Sequence, residues 1–194
     1  MNTSRWLIAG LGNPGKKYRR TRHNVGFMTV ERVADRCRIA IDKKKFKNHF
    51  GTGLYGNNKI IVAKPRDYMN RSGPPLCRLA GYFDVPLQNI LIIHDDIDIE
   101  KGQIKIKEKG GHGGHNGVKS IIEAFGSGNF PRVRIGIGRP EPPVEATDYV
   151  LANLTGGEEK IFEAALQNAE DAVFTMIRYG PAEAMKRFNQ KKVV

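Results

Sequence analysis

Five short stretches of the chain are rich in apolar, β-branched residues: Arg5–Leu11, Lys59–Lys64, Ile90–His94, Gln103–Lys107 and Val133–Ile137. Four of them are almost continuously apolar, as strands covered on both faces should be. Gln103–Lys107 instead alternates, with Ile104 and Ile106 on one face and Lys105 and Lys107 on the other. That period of two predicts a half-exposed strand that offers two cations to solvent or to a ligand. Between the strands the period changes to that of helices. Asn24–Arg36 carries Val25, Met28, Val30 and Val33, and Asn116–Phe125 carries Val118, Ile121, Ile122 and Phe125. Ser72–Phe83 starts after a candidate cap, with Pro74 and Pro75 tolerable only in a first turn. Thr155–Tyr179 opens on a Thr155/Glu158 capping box, and Phe162, Leu166, Ala169, Val173 and Met176 then step by four and three. Gly180-Pro181 ends it, and a short helix follows through Ala184–Phe188.

Strands alternating with helices predict an α/β fold: a single globular domain, residues 1–194, with a mixed, mostly parallel twisted sheet flanked by helices. The proline-rich stretch Gly138–Asp148 reads as a mobile surface loop, and Lys43-Lys44-Lys45 as a short basic cluster. No apolar run approaches the roughly 20 residues of a membrane span. The N-terminus has no apolar core of a secretory signal and no evident transit peptide. Cys37 and Cys77 stand far apart with no C-x-x-C pair, so two free thiols in a reducing cytoplasm are expected.

Charge sharpens this. The formal net charge is +12, and Met1–His49 holds 13 basic against 3 acidic side chains. Such concentration points to a polyanionic partner, nucleic acid ahead of an anionic membrane surface, with a solvated basic face as the alternative.

Gly10, Gly12 and Gly15 fit the G-x-G-x-x-G dinucleotide fingerprint after a strand. The context fails: Pro14 precedes the third glycine, five cations crowd Lys16–Arg22, and no acid ends a second strand about 20 residues on. Chemistry-bearing side chains instead sit at strand ends: Asn13, then Tyr68-Met69-Asn70, His94-Asp95-Asp96 and the loop Gly110–Gly117. Each has a bland reading. Asn13 before Pro14 suits a turn, and Asn116 suits a helix cap. His112 and His115 find no matching Cys or His set for a metal, and Asp95, Asp96 and Asp98 could equally hold Mg²⁺ or be merely solvated. There is no G-x-S-x-G nucleophile elbow. His23, just before a helix, is a candidate base, with Asp95 at the end of an apolar strand as its partner. A His–Asp pair without a nucleophile points to activated water, which amide side chains could hold.

The motifs GLGNPGKKYRRTRHNVGF, KPRDYMNRSG, ILIIHDDIDIEKGQIKIK, GGHGGHNGVKSII and RVRIGIGRP stand in this order. In them the chain resembles the bacterial-type peptidyl-tRNA hydrolase family from Leu7 to about Phe188. The resemblance implies hydrolysis of the ester between a peptide and the terminal ribose of tRNA, which frees the tRNA for reuse. It implies His23 as general base, Asp95 as its orienting partner, and Asn13, Asn70 and Asn116 as groups that bind the ester end and position water. Tyr18 and Met69 would line the cleft, and Lys105, Lys107 and Arg134 would contact acceptor-stem phosphates. It further implies a cofactor-free and usually monomeric protein, and the spacing of the histidines predicts no metal set. The chain departs from the family pattern at Asp67, where threonine is frequent, and at Arg71 and Pro74-Pro75. Asp67 beside the cleft is expected to alter substrate affinity. The rival reading is a non-catalytic RNA-binding relative, such as the organellar splicing factors of this fold.

Overall fold

The computed structural model describes residues 4–189, and among them seven strands form one sheet. These are β1 (Arg5–Gly10), β2 (Lys43–Lys45), β3 (Asn48–Tyr55), β4 (Asn58–Pro65), β5 (Ile90–Asp96), β6 (Ile104–Lys107) and β7 (Arg132–Gly136), in spatial order β2-β3-β4-β1-β5-β7-β6. The four nearly continuous apolar strands are its parallel centre, β4-β1-β5-β7, with Ile8 opposite Leu91 and Asp95 opposite Ile135. The alternating strand β6 is the antiparallel edge, where Lys105 faces Arg134 and Lys107 faces Arg132. The expected mixed, mostly parallel sheet is therefore what forms.

Successive side chains of a strand point to opposite faces, so the sheet makes two cores. On one face Ile8, Val62, Leu91, Ile93, Val133 and Ile135 meet the helices α1 (Val25–Arg36), α5 (Glu159–Tyr179) and α6 (Pro181–Phe188). On the other, Leu7, Ile61, Ile90 and Ile92 meet α2 (Gly73–Tyr82) and α3 (Asn116–Phe125). Each fully buried aliphatic side chain contributes about 1.5–3 kcal/mol, so these two layers set the register of every strand. Pro74 and Pro75 lie in the first turn of α2, where no intrahelical donor is lost.

Besides the strand β3, which the sequence reading does not predict, three features differ from it. Lys43-Lys44-Lys45 is not a loose cluster but β2, hairpinned onto β3. The Pro-rich stretch runs into a helix, α4 (Ala146–Leu151), whose Tyr149 is buried in the first core and donates its hydroxyl to the carbonyl of Ile137. Thr155 and Glu158 do meet, Thr155 Oγ1 lying 3.0 Å from Glu158 Oε2, yet the helix begins only at Glu159.

Part of the N-terminal charge is matched within the fold. Arg32 pairs with Glu163 and Glu170, Arg36 with Glu170 and Asp171, and Arg20 with Glu159. These cations tie α1 and its approach to α5, and their charge is matched inside the molecule. Sequence counting could not show this, because the matching acids lie more than 130 residues away.

Candidate active site

The end of β1 and the start of α1 approach so closely that only glycine fits. A Cβ on Gly10 would stand 2.1 Å from the carbonyl oxygen of Gly26, and one on Gly12 would stand 2.7 Å from the Phe27 ring. The glycines thus make room for a helix, and what occupies the loop is Asn13. Its backbone N–H donates to Oδ1 of Asn24 at 2.9 Å, and Asn24 Nδ2 donates back to its carbonyl at 3.0 Å. Asn24, buried and directly after His23, therefore locks the Asn13 loop to the histidine's own turn. Asn24 escaped the sequence reading because it stands as the first residue of the predicted helix Asn24–Arg36. Here its side chain caps nothing. The remaining acceptor of Asn13, Oδ1, takes the backbone N–H of Met69 at 2.9 Å. That fixes the amide orientation and leaves the Nδ2 hydrogens as the donors on offer.

His23 belongs to a 3-10 turn, Arg22–Asn24, and its Nδ1 lies 2.9 Å from both carboxylate oxygens of Asp95. The expected pair is present. A carboxylate only accepts, so Nδ1 carries the proton and Nε2 keeps the lone pair. Asp95 is almost fully enclosed, its side chain 3% exposed, and accepts a second bond that was not expected: His115 Nε2 at 2.9 Å from Oδ1. His115 is the N-cap of α3, and its Nδ1 accepts from the N–H groups of Gly117 and Val118 at 3.1 and 3.3 Å. Two backbone donors require an acceptor at Nδ1, so the ring's single proton sits on Nε2 and is given to Asp95. His94 lies behind, donating Nδ1–H to the carbonyl of Asp95, with its ring 4.7 Å from that of His115.

Burial disfavours charge on the His23 ring, but the Asp95 charge and hydrogen bond outweigh it and raise its pKa above the usual value. Burial likewise opposes the Asp95 anion, yet His23 and His115 hold it far below the ordinary carboxylate range. His94 is pushed well down, by burial and then by its neighbour His115, and stays neutral.

His23, Asp95 and His115 bring three ligand-type atoms within 4.8 Å of one another. Their hydrogen bonds do not suit a metal. An ion at His115 Nε2 would need the proton moved to Nδ1, where two backbone donors already point. His112 is exposed, its Nδ1 taken by the N–H of Gly114. The three aspartates diverge: Asp95 to the histidines, Asp96 to Arg134, and Asp98 to Arg139. The Mg²⁺ reading finds no converging set.

Met69 is buried, its sulfur only 2.6 Å from where a Cβ on Gly117 would stand. The turn Met69–Arg71 packs on α3, and Asn70 and Asn116 present exposed amides from these two elements. Asn116 is the first residue of α3 rather than its cap, since His115 has that place. Tyr18 is half-buried in the preceding turn. Asp67, expected to alter affinity from beside the cleft, is turned to Lys47 at 3.0 Å, and that hydrogen bond holds its pKa down.

On the open face of the β6–β7 edge, Lys105 and Lys107 are exposed, and no ion pair holds either among the described residues. Arg134 differs from expectation. Its Nε sits 2.8 Å from Asp96, with the side chain only 25% exposed, so its charge is already matched. Arg132, which the sequence reading passed over, is buried and holds the carbonyls of Gly110 and Gly111 at 2.7 and 2.8 Å. It anchors the glycine-rich loop that delivers His115.

Residues 7–194 match the family model described as peptidyl-tRNA hydrolase. Peptidyl-tRNA hydrolase of Thermoanaerobacter sp. strain X514 is 44% identical, the match covering 95% of this chain and 99% of that protein. That of Clostridium novyi strain NT is 42% identical over 95% and 97%. The crystal structure of peptidyl-tRNA hydrolase from Acinetobacter baumannii superposes with a TM-score of 0.92 at 36% identity, covering 99% of this chain and 98% of that one. With whole-length relatives above 40% identity and the same architecture, the chain belongs to the peptidyl-tRNA hydrolase family.

Proposed function

We propose that the chain hydrolyses the ester linking the peptide to the tRNA of peptidyl-tRNA, with His23 as the general base. The observation that carries this reading is the His23 ring itself: Nδ1 is held by a buried carboxylate, and Nε2 is left as a lone pair of raised basicity. A water on Nε2 loses its proton as its oxygen attacks the ester carbonyl carbon. Asp95 stabilises the imidazolium that forms, without taking the proton. The Nδ2 hydrogens of Asn13, whose orientation is set by Met69, donate to the carbonyl oxygen as negative charge develops on it. Asn70 and Asn116 bind the ester end from the rim, with Tyr18 and Met69 as walls. The tetrahedral intermediate then expels the ribose oxygen, which takes the proton back from His23.

Lys105 and Lys107 supply free charge for acceptor-stem phosphates, with Arg134 a weaker contributor because of Asp96. The enzyme is read as a cytoplasmic monomer that needs no cofactor. The test is release of a labelled N-blocked aminoacyl group from tRNA. His23→Ala should lower kcat by at least about 10²-fold with tRNA binding little changed. A wild-type chain that binds tRNA yet releases nothing would instead be the splicing-factor-like RNA binder.

A further inference from the structure

His23 and Asp95 come from different segments, and one carboxylate outside the reacting set is fastened to both. Arg22, the neighbour of His23, is 5% exposed and gives Nη2 to Glu158 Oε2 at 2.6 Å. Its Nη1 lies 3.3–3.4 Å from the carbonyls of Tyr149, Ala152 and Asn153, and its guanidinium covers the Tyr149 ring at 4.3 Å. On the other side, Lys101, in the turn that leaves β5 after Asp95, gives Nζ to Glu158 Oε1 at 2.8 Å. Thr155 adds its N–H and hydroxyl to Oε2. Glu158 is 13% exposed at the side chain, and each of its oxygens has a cationic donor. Burial works against its charge, but Lys101, Thr155 and Arg22 hold its pKa at about 2, so it is ionised at any working pH.

The backbone repeats the same link. Thr21 bridges Asn153, the N–H of Arg22 donates to Ala152, and that of Leu154 donates to Arg20. Buried ion pairs are often neutral for stability against an apolar substitute, so stability alone is a weak reason for this one. Its placement gives a better one. An arginine fork is directional, and here it orients the three-residue turn whose middle member must aim Nδ1 at Asp95.

We propose that Glu158 is a positioning residue: by gripping Arg22 and Lys101 together, it holds the Arg22–Asn24 turn against the segment leaving β5 and keeps His23 aligned on Asp95. The proposal rests on the reading of His23 as the base. The groups that face His23 are Asp95 from β5 and His115 from the start of α3, whose ring centroid is 5.1 Å away. Arg22 on its own turn is directed away, to Glu158. Loosening the grip should therefore weaken the Asp95 interaction and little else around the ring.

The experiment is Glu158→Gln in the full chain, with kcat, KM, the acid limb of kcat/KM, and the His23 imidazole pKa from NMR titration. Expected are a kcat about tenfold lower, KM for peptidyl-tRNA within about twofold, and both pH readouts moved to lower pH. Arg22→Lys keeps the charge but loses the fork and should shift both in the same direction. Adding it to Glu158→Gln should cost little more than either alone. If Glu158→Gln does not fold, Lys101→Met removes one arm while leaving the Arg22 pair, and a smaller shift of the same sign is expected. A lower melting temperature with unmoved His23 pKa and acid limb would make Glu158 merely structural and overturn the proposal. His23→Ala in the same assay separates the two ideas: if it retains turnover, the base assignment has failed. If it is inactive while Glu158→Gln behaves as wild type, only the positioning role has.

Discussion

The backbone N–H of Met69 donates to Oδ1 of Asn13 at 2.9 Å, and this bond decides which end of the Asn13 amide is left free. Were the amide reversed, two donors would face each other in a buried place. Asn13→Asp is therefore an informative change. An oxygen still accepts from Met69, so the loop should stay in place. The Nδ2 donor becomes a second anionic oxygen, which repels charge building on the ester carbonyl. We expect kcat to fall by at least about 10²-fold, the scale of a lost oxyanion donor, with the melting temperature nearly unchanged. A kcat within tenfold of wild type in steady-state hydrolysis would remove Asn13 from this role.

The pH dependence should follow Asp95. Burial lowers the His23 pKa and the Asp95 charge and hydrogen bond raise it, with the increase prevailing. Asp95→Asn keeps the shape and removes the charge, so the folded pKa falls and the base stays unprotonated to lower pH. The acid limb of kcat/KM should then move down, by about one unit if the pairing is worth near 1.4 kcal/mol. The plateau should drop too, because a weaker base accepts the water's proton less readily. Asp96→Asn is the control: its carboxylate points to the opposite face and pairs with Arg134. It should leave the limb in place and act on KM. If Asp96 moves the limb and Asp95 does not, the choice of partner is wrong.

For the proposed tRNA contact at the β6 edge the readout is salt. Each lysine that meets a phosphate releases condensed counterions, so Lys105→Ala with Lys107→Ala should raise KM and flatten log K against log salt by up to about two units. Arg134→Ala should flatten it less, since the Asp96 ion pair already screens that cation. An unchanged slope in the double variant would mean that these lysines face only solvent, and binding would then have to come from elsewhere.

Much of this was legible along the chain because strand and helix periods are local. The four continuous apolar strands, the alternating edge strand and the apolar face of α5 all announce themselves in their own residues. The His23–Asp95 pair was legible because both side chains sit where a strand or helix boundary brings chemistry to one end of the sheet. What stayed hidden depends on partners remote in sequence. β3 carries two glycines and little alternation, because the Ile39 side chain fills the space above Gly51 and Gly53. Asn24 looks like the first residue of a helix until the Asn13 loop lies against it. Arg22 looks like one more surface cation until Glu158, 136 residues on, is beside it. His115 was weighed as a metal ligand, since nothing local says that its Nδ1 would cap α3.

His115 yields the last test, because its effect should have the opposite sign to that of Asp95. With Nδ1 committed to the N–H groups of Gly117 and Val118, the ring gives its Nε2 proton to Asp95. That donation competes with His23 for the same carboxylate. In His115→Ala one donor to Asp95 is gone, the carboxylate becomes a stronger acceptor, and protonated His23 is favoured. The acid limb of kcat/KM should then move to higher pH, by a few tenths of a unit to about one, as a hydrogen bond to a charged group allows. Loss of the cap should separately lower stability by about 1 kcal/mol, read from the melting temperature, without bearing on the limb. His115→Asn restores a capping side chain at α3, since asparagine is a favoured N-cap, but it is too short to reach Asp95 as the ring does. It should recover stability and still show the raised limb. If the limb falls in both variants, as it should in Asp95→Asn, then His115 does not compete with His23 for the carboxylate but holds Asp95 in place for it, and the competition between the two rings is refuted.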